Sequence, residues 1–242
     1  MSEWFADLKA EFTLNFIQAD RWKYLAQGLG NTLIITMLAL VLGLFIGAVI
    51  AAVRSTYDKT AQGARPTFGR KVLGFFNGLC KVYLTVLRGT PVVVQLMIIY
   101  FVVFASSNNG VLVAALAFGL NSGAYVAEII RGGIMSIDNG QFEAGRSLGF
   151  NYLQTMWHVV LLLVVKNVLP SLMNEFIALL KETSVAGYVA VQDLTKGGDI
   201  IRGRTFSAFM PLIAVALIYL ALVMFLTWIA GIVERRLRSS DH

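Results

Sequence analysis

Long stretches without a charged side chain are the feature that most restricts how this chain can fold. Three of them, residues 24–53, 89–127 and 205–233, contain 30, 39 and 29 uncharged residues. A helix needs about 20 apolar residues to cross a bilayer, and a charge at the bilayer centre costs roughly 2.5–3.5 kcal/mol. The stretches therefore predict membrane-spanning helices. With 57% hydrophobic and only 14% charged residues, an ordinary soluble enzyme is excluded.

The middle stretch is too long for one span, because 39 residues form a helix of about 58 Å and the hydrocarbon layer is ~30 Å thick. Its turn-forming residues 106–110 predict a hairpin there. The apolar segment 159–181 also contains Lys166 and Glu175, which we expect to face protein or water. The pattern predicts an all-α membrane protein whose five transmembrane helices cover residues of about 28–53, 82–105, 111–130, 159–181 and 207–233.

The distribution of lysine and arginine predicts the orientation of these spans. Eleven of these cations flank one side and six the other, when residues in or beside the spans are left out. Because cytoplasmic segments carry the excess of cations, residues 1–24 are expected outside, and the loop 132–158 and the tail 239–242 in the cytoplasm. The most cationic interior segment is expected to be a loop between the first two spans, with Arg54, Lys59, Arg65, Arg70, Lys71 and Lys81.

Several kinds of site are not expected. One cysteine, Cys80, and two histidines leave no ligand set for a metal centre and no disulfide framework. The formal charge of +6 is spread out, so no nucleic-acid partner is expected. The sequence has no GxxxxGK[ST] phosphate loop, so ATP would have to be bound by another protein.

The loop 132–158 has an order of its own. Asp138 or Asn139 can cap a helix, Glu143 lies early in it, and Gly149 supplies a left-handed stop. The alternative is a helix lying on lipid headgroups, but one Glu and one Arg do not make the basic face of such an anchor. The pattern favours a helix that docks a soluble partner.

Glycines four residues apart are typical of helices that pack closely in lipid. Three such pairs in the apolar part of the chain are predicted to mark close helix contacts: Gly43 with Gly47, Gly74 with Gly78, and Gly119 with Gly123.

Five segments together resemble one protein family. They are Arg88-Gly89-Thr90-Pro91, residues 124–132, the loop motif Glu143-Ala144-Gly145 with Gly149, Leu169-Pro170, and residues 179–184. Over about residues 25–238 the chain resembles the permease subunits of ABC importers, in the polar amino acid uptake group that serves histidine, glutamine, glutamate, arginine and opines. Two positions depart from the family's EAA motif: Gly145 replaces an alanine, and Leu162 stands where proline is usual.

The resemblance implies a type I ABC importer permease fold in the bacterial cytoplasmic (inner) membrane, with no catalytic residues and no cofactor of its own. It implies import of a polar amino acid by alternating access. The partners would be a cytoplasmic ABC ATPase dimer that binds ATP-Mg, an extracytoplasmic solute-binding protein, and a second permease, either another copy or a homologous chain. The residues that it implies for coupling to the ATPase are Glu143, Ala144, Gly145, Arg146 and Gly149.

Polar residues at membrane depth are the candidates for the substrate pathway: Gln95, Asn121, Tyr125, Glu128, Asn174 and Glu175. Each has a structural alternative, since Glu128 can pair with Arg131 and the asparagines can bridge helices. Glu175 is the strongest candidate because its own helix offers it no partner. Structural or gating roles are expected for Arg88, Pro91, Lys166, Pro170 and Lys181.

Two other classes compete with the importer. An intramembrane protease is disfavoured, because the chain has no HExxH and Ser122 has no histidine within reach. A secondary transporter or channel for small polar solutes would use Lys166 and Glu175 in an ion path. Such a carrier would not need the docking helix of the loop 132–158.

Overall fold

The computed structural model describes residues 2–61 and 67–239, and all regular structure in these ranges is helical. Arg65 and the tail residues 240–242 lie outside them. The α-helices are α1 (Ser2–Phe12), α2 (Trp22–Ala61), α3 (Phe68–Gly89), α4 (Val92–Ile98), α5 (Gly110–Met135), α6 (Asn139–Ser147), α7 (Tyr152–Thr155), α8 (Leu161–Glu182), α9 (Leu194–Thr205) and α10 (Phe209–Ser239). Shorter π or 3-10 turns cover Thr13–Ile17, Gln18–Asp20, Ile99–Val103, Met156–Val160 and Thr183–Val189.

The prediction of an all-helical membrane protein is confirmed. Among the described residues, four helical segments are long and apolar enough to cross a bilayer: Trp22–Lys59, Gly110–Met135, Met156–Val189 and Phe209–Leu237. The pair Phe68–Gly89 and Val92–Val103 would make a fifth, if both parts belong to one span. The sequence-based count of five therefore depends on this pair.

The second predicted span, residues 82–105, does not form as one helix. Helices α3 and α4 meet at a bend of 109°. Thr90 at the bend is extended, with φ −123° and ψ 149°. Pro91 has no backbone N–H to continue the helix and disfavours helical geometry in the residue before it, so the bend follows from the local sequence.

The prediction of a cationic loop between the first two spans is also wrong for the described residues, which are helical there. Helix α2 has 40 residues, a length of about 60 Å, which is twice the ~30 Å of hydrocarbon. It continues through Arg54 and Lys59, and α3 carries Arg70, Lys71 and Lys81. Charged residues are compatible with a helix that extends beyond the lipid, so these cations do not require a loop.

The described residues form two compact units. One contains the chain up to Ala39, Val92–Phe118 and Ile177–Trp228. The other contains Leu40–Pro91, Gly119–Phe176 and the chain from Ile229.

The first unit is organised around the contact between α2 and α9. A Cβ at Gly28 would lie 2.4 Å from the carbonyl oxygen of Asp193, and a Cβ at Gly197 would lie 2.5 Å from the carbonyl oxygen of Tyr24. Asn31 Nδ2 donates to the Gln192 carbonyl at 2.8 Å, and Leu194 N–H donates to Thr32 Oγ1 at 3.0 Å. The two glycines therefore let the backbones touch, and polar side chains of α2 bind the backbone before and at the start of α9. An apolar core completes this unit, with Phe16, Leu25, Leu194, Ile201 and Val215.

Asp193 is the N-cap of α9. Its carboxylate accepts the backbone N–H groups of Thr195 and Lys196 at 3.0 and 3.1 Å. Burial raises the pKa of this carboxyl, although the hydrogen bonds from Lys196 and Thr195 act in the opposite direction. Six residues further on, hydrogen bonds from Arg202 and Lys196 lower the pKa of the Asp199 carboxyl.

In the second unit, α2 and α5 pack closely through glycine. A Cβ at Gly47 would lie 2.4 Å from Val126 Cγ1, and one at Gly119 would lie 2.8 Å from Leu42 Cδ2. Gly43 and Gly123 meet the partner helix in the same way. Gly78, by contrast, has nothing within 4 Å, and Gly74 has only an ordinary contact. Two of the three predicted glycine pairs therefore mark a close helix contact.

Candidate functional site

A polar cleft of about 580 Å³ opens in the second unit among α2, α3 and α5. The side chains at its rim are mostly charged or polar. It is lined by Arg54 of α2, by Lys81, Leu84, Thr85, Arg88 and Gly89 of α3, and by Tyr125 and Glu128 of α5. Leu84 also belongs to an apolar core with Ile50, Ala124 and Ala127, which packs the three helices against each other.

A chain of ion pairs joins α2 to α5 beside the cleft. Glu128 accepts from Arg54 Nη1 at 2.5 Å and from Arg131 Nη2 at 3.1 Å. Arg131 Nη1 also lies 3.4 Å from Asp58 Oδ2. The formal charges of these four half-buried groups cancel, so Glu128 adds no net negative charge to the cleft.

The sequence predicted part of this network. The pair of Glu128 with Arg131 was expected from their spacing on one helix, but Arg54 and Asp58 were assigned to a loop and missed. Arg54 and Asp58 are four residues apart, which places them on one face of a helix. A predicted first helix that continues past residue 53 would therefore place both side chains on one surface.

The cleft has a surplus of positive charge once Glu128 is neutralised. Lys81 and Arg88 contribute it, and both are exposed. The guanidinium carbon of Arg88 lies 5.5 Å from the centre of the Tyr125 ring, which restrains the arginine by a cation–π contact. A planar guanidinium matches a carboxylate with two parallel hydrogen bonds, so the cleft can bind a carboxylate group.

Glu175 is held on α8 by a contact that sequence analysis did not identify. Ser122 Oγ of α5 donates to Glu175 Oε1 at 2.8 Å. Asn121, the residue before this serine, is buried and donates to the Leu87 carbonyl of α3 at 3.3 Å. Ser122 and Asn121 therefore both connect helices. For Asn121 this agrees with the structural alternative, in which an asparagine bridges helices.

The remaining predicted pathway and gating residues occupy different places. Gln95 is buried on α4 of the first unit, and Asn174 is exposed on α8. Pro91 lies at the bend between α3 and α4, and Pro170 lies inside α8. Lys166 is half-buried on α8, and Lys181 is exposed near its end.

Helix α6 is the predicted short helix of the loop 132–158. The Asp138 side chain accepts from Gly140 N–H, which caps the helix, and Gly149 has φ +83°, the left-handed conformation expected for a stop. Glu143, Ala144 and Arg146 are exposed. The capped helix predicted from the sequence is therefore confirmed, with its charged side chains on the surface.

Gly145 has a different environment from the rest of the motif. It is buried, and a Cβ there would lie 2.5 Å from both Oγ1 and Cγ2 of Thr155 on α7. The close approach that this glycine permits is between α6 and α7. A residue larger than glycine at position 145 would require Thr155 to shift.

In the described part of the chain, no three His, Cys, Asp or Glu side chains come together as a metal site.

Comparison with known proteins assigns the chain to a family. Residues 67–239 match the model of the binding-protein-dependent transport system inner membrane component. The arginine transport system permease protein ArtQ of Bacillus subtilis (strain 168) is 36% identical over 222 residues, which cover 90% of this chain and 94% of ArtQ. The glutamine transport system permease protein GlnP of Escherichia coli (strain K12) is 36% identical over 218 residues, covering 88% and 93%.

Solved structures agree. The crystal structure of an amino acid ABC transporter with histidines matches with a TM-score of 0.76 and 35% identity, covering 88% of this chain and 94% of that one. An inward-facing MetNI methionine ABC transporter matches in fold, with a TM-score of 0.74 and 16% identity over 91% of this chain and 99% of that one. The chain belongs to the family of inner membrane components of binding-protein-dependent transport systems.

Proposed function

We propose that the protein is the permease subunit of an ATP-driven importer for a polar amino acid, and that α6 docks a separate ATPase. The observation that carries the proposal is α6 itself, a capped helix with Glu143 and Arg146 exposed. A free-standing carrier would not need such a helix. The names of the two relatives, an arginine and a glutamine permease, support an amino acid as the transported molecule.

The proposed orientation places α6 and the C-terminal end of α10 in the cytoplasm and α1 outside. One side of the membrane carries more lysine and arginine, and this side is the cytoplasmic one. Its cations are those on the later turns of α2 and on α3, together with Arg131, Arg146, Arg235 and Arg236. In this orientation α6 faces the compartment that contains ATP.

The proposed partners follow from what this chain lacks. Its sequence has no phosphate loop, so a cytoplasmic ATPase dimer would bind ATP-Mg and change the position of α6 as it closes. A second permease, either a copy or a homologue, would complete the pathway, and an extracytoplasmic binding protein would deliver the substrate. Transport would proceed by rigid-body rocking between inward-open and outward-open states.

Dependence on the ATPase is the test. Uptake of labelled glutamine, glutamate, arginine and histidine should be measured in proteoliposomes that contain the permease with its second permease and its binding protein, and with the ATPase either intact or inactivated at its catalytic site. We expect uptake of at least one of these amino acids, and only with the active ATPase. Equal uptake with the inactivated ATPase would contradict the proposal and favour a secondary carrier.

The cleft gives a more specific prediction. In the proposed importer, Arg88 binds the substrate carboxylate, and Arg88→Gln should raise the KM for uptake by roughly 10- to 100-fold, because a hydrogen bond to a charged group contributes about 1.5–3 kcal/mol. Lys71→Gln is the matched control, since it removes an exposed cation of the same helix that does not line the cleft. Initial uptake rates over a range of substrate concentrations measure the effect, and equal KM values for the two variants would exclude this role.

A further inference from the structure

Lys59 connects α2 to α6. Its Nζ lies 3.9 Å from the centre of the Phe142 ring, the residue before Glu143 on α6. The ammonium nitrogen is buried, and among the described residues it has no hydrogen-bond acceptor. A buried ammonium is unfavourable without a compensating group, and the negative face of an aromatic ring provides one. The contact therefore holds the docking helix against the end of α2.

The neighbouring turns of α2 continue this connection to the cleft. Asp58, adjacent to Lys59, pairs with Arg131 of α5, and Arg131 pairs with Glu128. Arg54, one turn earlier on α2, pairs with the other oxygen of Glu128 and lines the cleft. The last turns of α2 thus contact α6 at one end and the cleft at the other, and α2 packs closely on α5 through its glycines.

We propose that Lys59 is a positioning residue, which acts through Phe142 to pass the displacement of α6 to α2 and to the ion pairs beside the cleft. The inference rests on the proposed function, in which α6 is the site where the ATPase acts. It adds a second connection to the one through α7, which α6 contacts at Gly145 and Thr155.

The test uses the complete transporter, with ATPase and binding protein, in proteoliposomes. The measured quantities are the amino acid imported per ATP hydrolysed and the stimulation of ATP hydrolysis by loaded binding protein. Lys59→Met keeps the apolar stem but removes the charge, and Phe142→Leu keeps an apolar side chain but removes the ring. Each should lower the ratio of import to hydrolysis by roughly 3- to 30-fold, the factor that corresponds to a cation–π contact.

Conservative variants and a double variant separate this role from general damage. Lys59→Arg keeps a cation and Phe142→Tyr keeps a ring, so both should retain the import ratio of the unmodified protein. The double variant of Lys59→Met with Phe142→Leu should lose no more than either single variant, because both remove one contact. If Lys59→Met does not assemble, Phe142→Leu still tests the same contact from the other side.

Three outcomes would overturn the inference. The import ratio could be unchanged in both Lys59→Met and Phe142→Leu, the double variant could show the product of the two single fold-decreases, or Phe142→Tyr could lose as much as Phe142→Leu. Failure of the proposed function looks different, because the unmodified protein would then import without an active ATPase. Co-elution of the ATPase with each variant confirms that the complex is intact.

Discussion

Replacement of Glu143 by lysine is expected to abolish uptake while leaving the permease folded. Glu143 is exposed on α6, so the substitution removes no internal contact of the described residues that would unfold the helix. In the proposed complex its carboxylate meets a basic group of the ATPase, and reversal of the charge places two cations against each other. Loss of one partner from a buried charge pair at an interface costs about 2–5 kcal/mol, which predicts a decrease in coupled uptake of roughly 30-fold or more.

Gln141→Lys is the matched control for this variant. Gln141 is also exposed on α6 but lies two residues before Glu143, on the opposite side of the helix. It should retain uptake and co-purify with the ATPase. Uptake by the Glu143→Lys permease at the rate of the Gln141→Lys permease would show that α6 does not couple through this carboxylate.

The Gly28→Ala variant is expected to be markedly less stable than the Gly30→Ala variant. The new methyl group at residue 28 would lie 2.4 Å from the carbonyl oxygen of Asp193, 2.8 Å from its carbonyl carbon and 2.9 Å from Leu194 Cα. All three are backbone atoms, so the start of α9 must shift. This weakens the hydrogen bonds that Asn31 and Thr32 make with Gln192 and Leu194. Overpacking of this kind costs about 1–3 kcal/mol.

Gly30 provides a strict control because it lies on the same helix, two residues away, with nothing within 4 Å of an added Cβ. Alanine there removes only backbone freedom and should leave stability equal or slightly higher. Apparent melting temperatures of the purified variants in detergent give the comparison, with a difference of about 2–4 °C for each kcal/mol in a chain of this size. Melting of both variants at the same temperature would mean that α2 and α9 are not in the contact described.

The sequence predicted the apolar segments and α6 because each depends on local rules. A charge is unfavourable in lipid wherever it occurs, so uncharged stretches locate spans, and Asp138 and Gly149 mark the ends of a short helix. The bend at Thr90 was missed, although the proline that causes it was visible. Spans are predicted from hydropathy, and the sequence stays apolar on both sides of Pro91. The helix axis nevertheless changes direction there, which hydropathy does not show.

Contacts between distant segments could not be predicted in the same way. Glu128 has Arg131 as a neighbour on its own helix, but its pairing with Arg54 depends on how α2 lies against α5. The glycine pairs show the same limit, since Gly43 with Gly47 and Gly74 with Gly78 have equal spacing and only the first pair lies at a close helix contact. Spacing identifies a surface that allows close approach, and the tertiary fold decides whether a neighbour uses it.

The contact between α2 and α9 has a consequence for how such a chain can diverge. At Gly28 and Gly197 the two helices meet through backbone atoms, so these two close approaches do not depend on which side chain stands at Tyr24. Exposed positions around the contact can therefore change without loosening this part of the protein, as long as the two glycines and the buried side chains of Thr32 and Leu194 stay. Exposed residues of α9 can then be exchanged between homologous chains. A chimaera that takes Gly28 and Gly197 from the same parent should fold more readily than a chimaera that takes them from different parents.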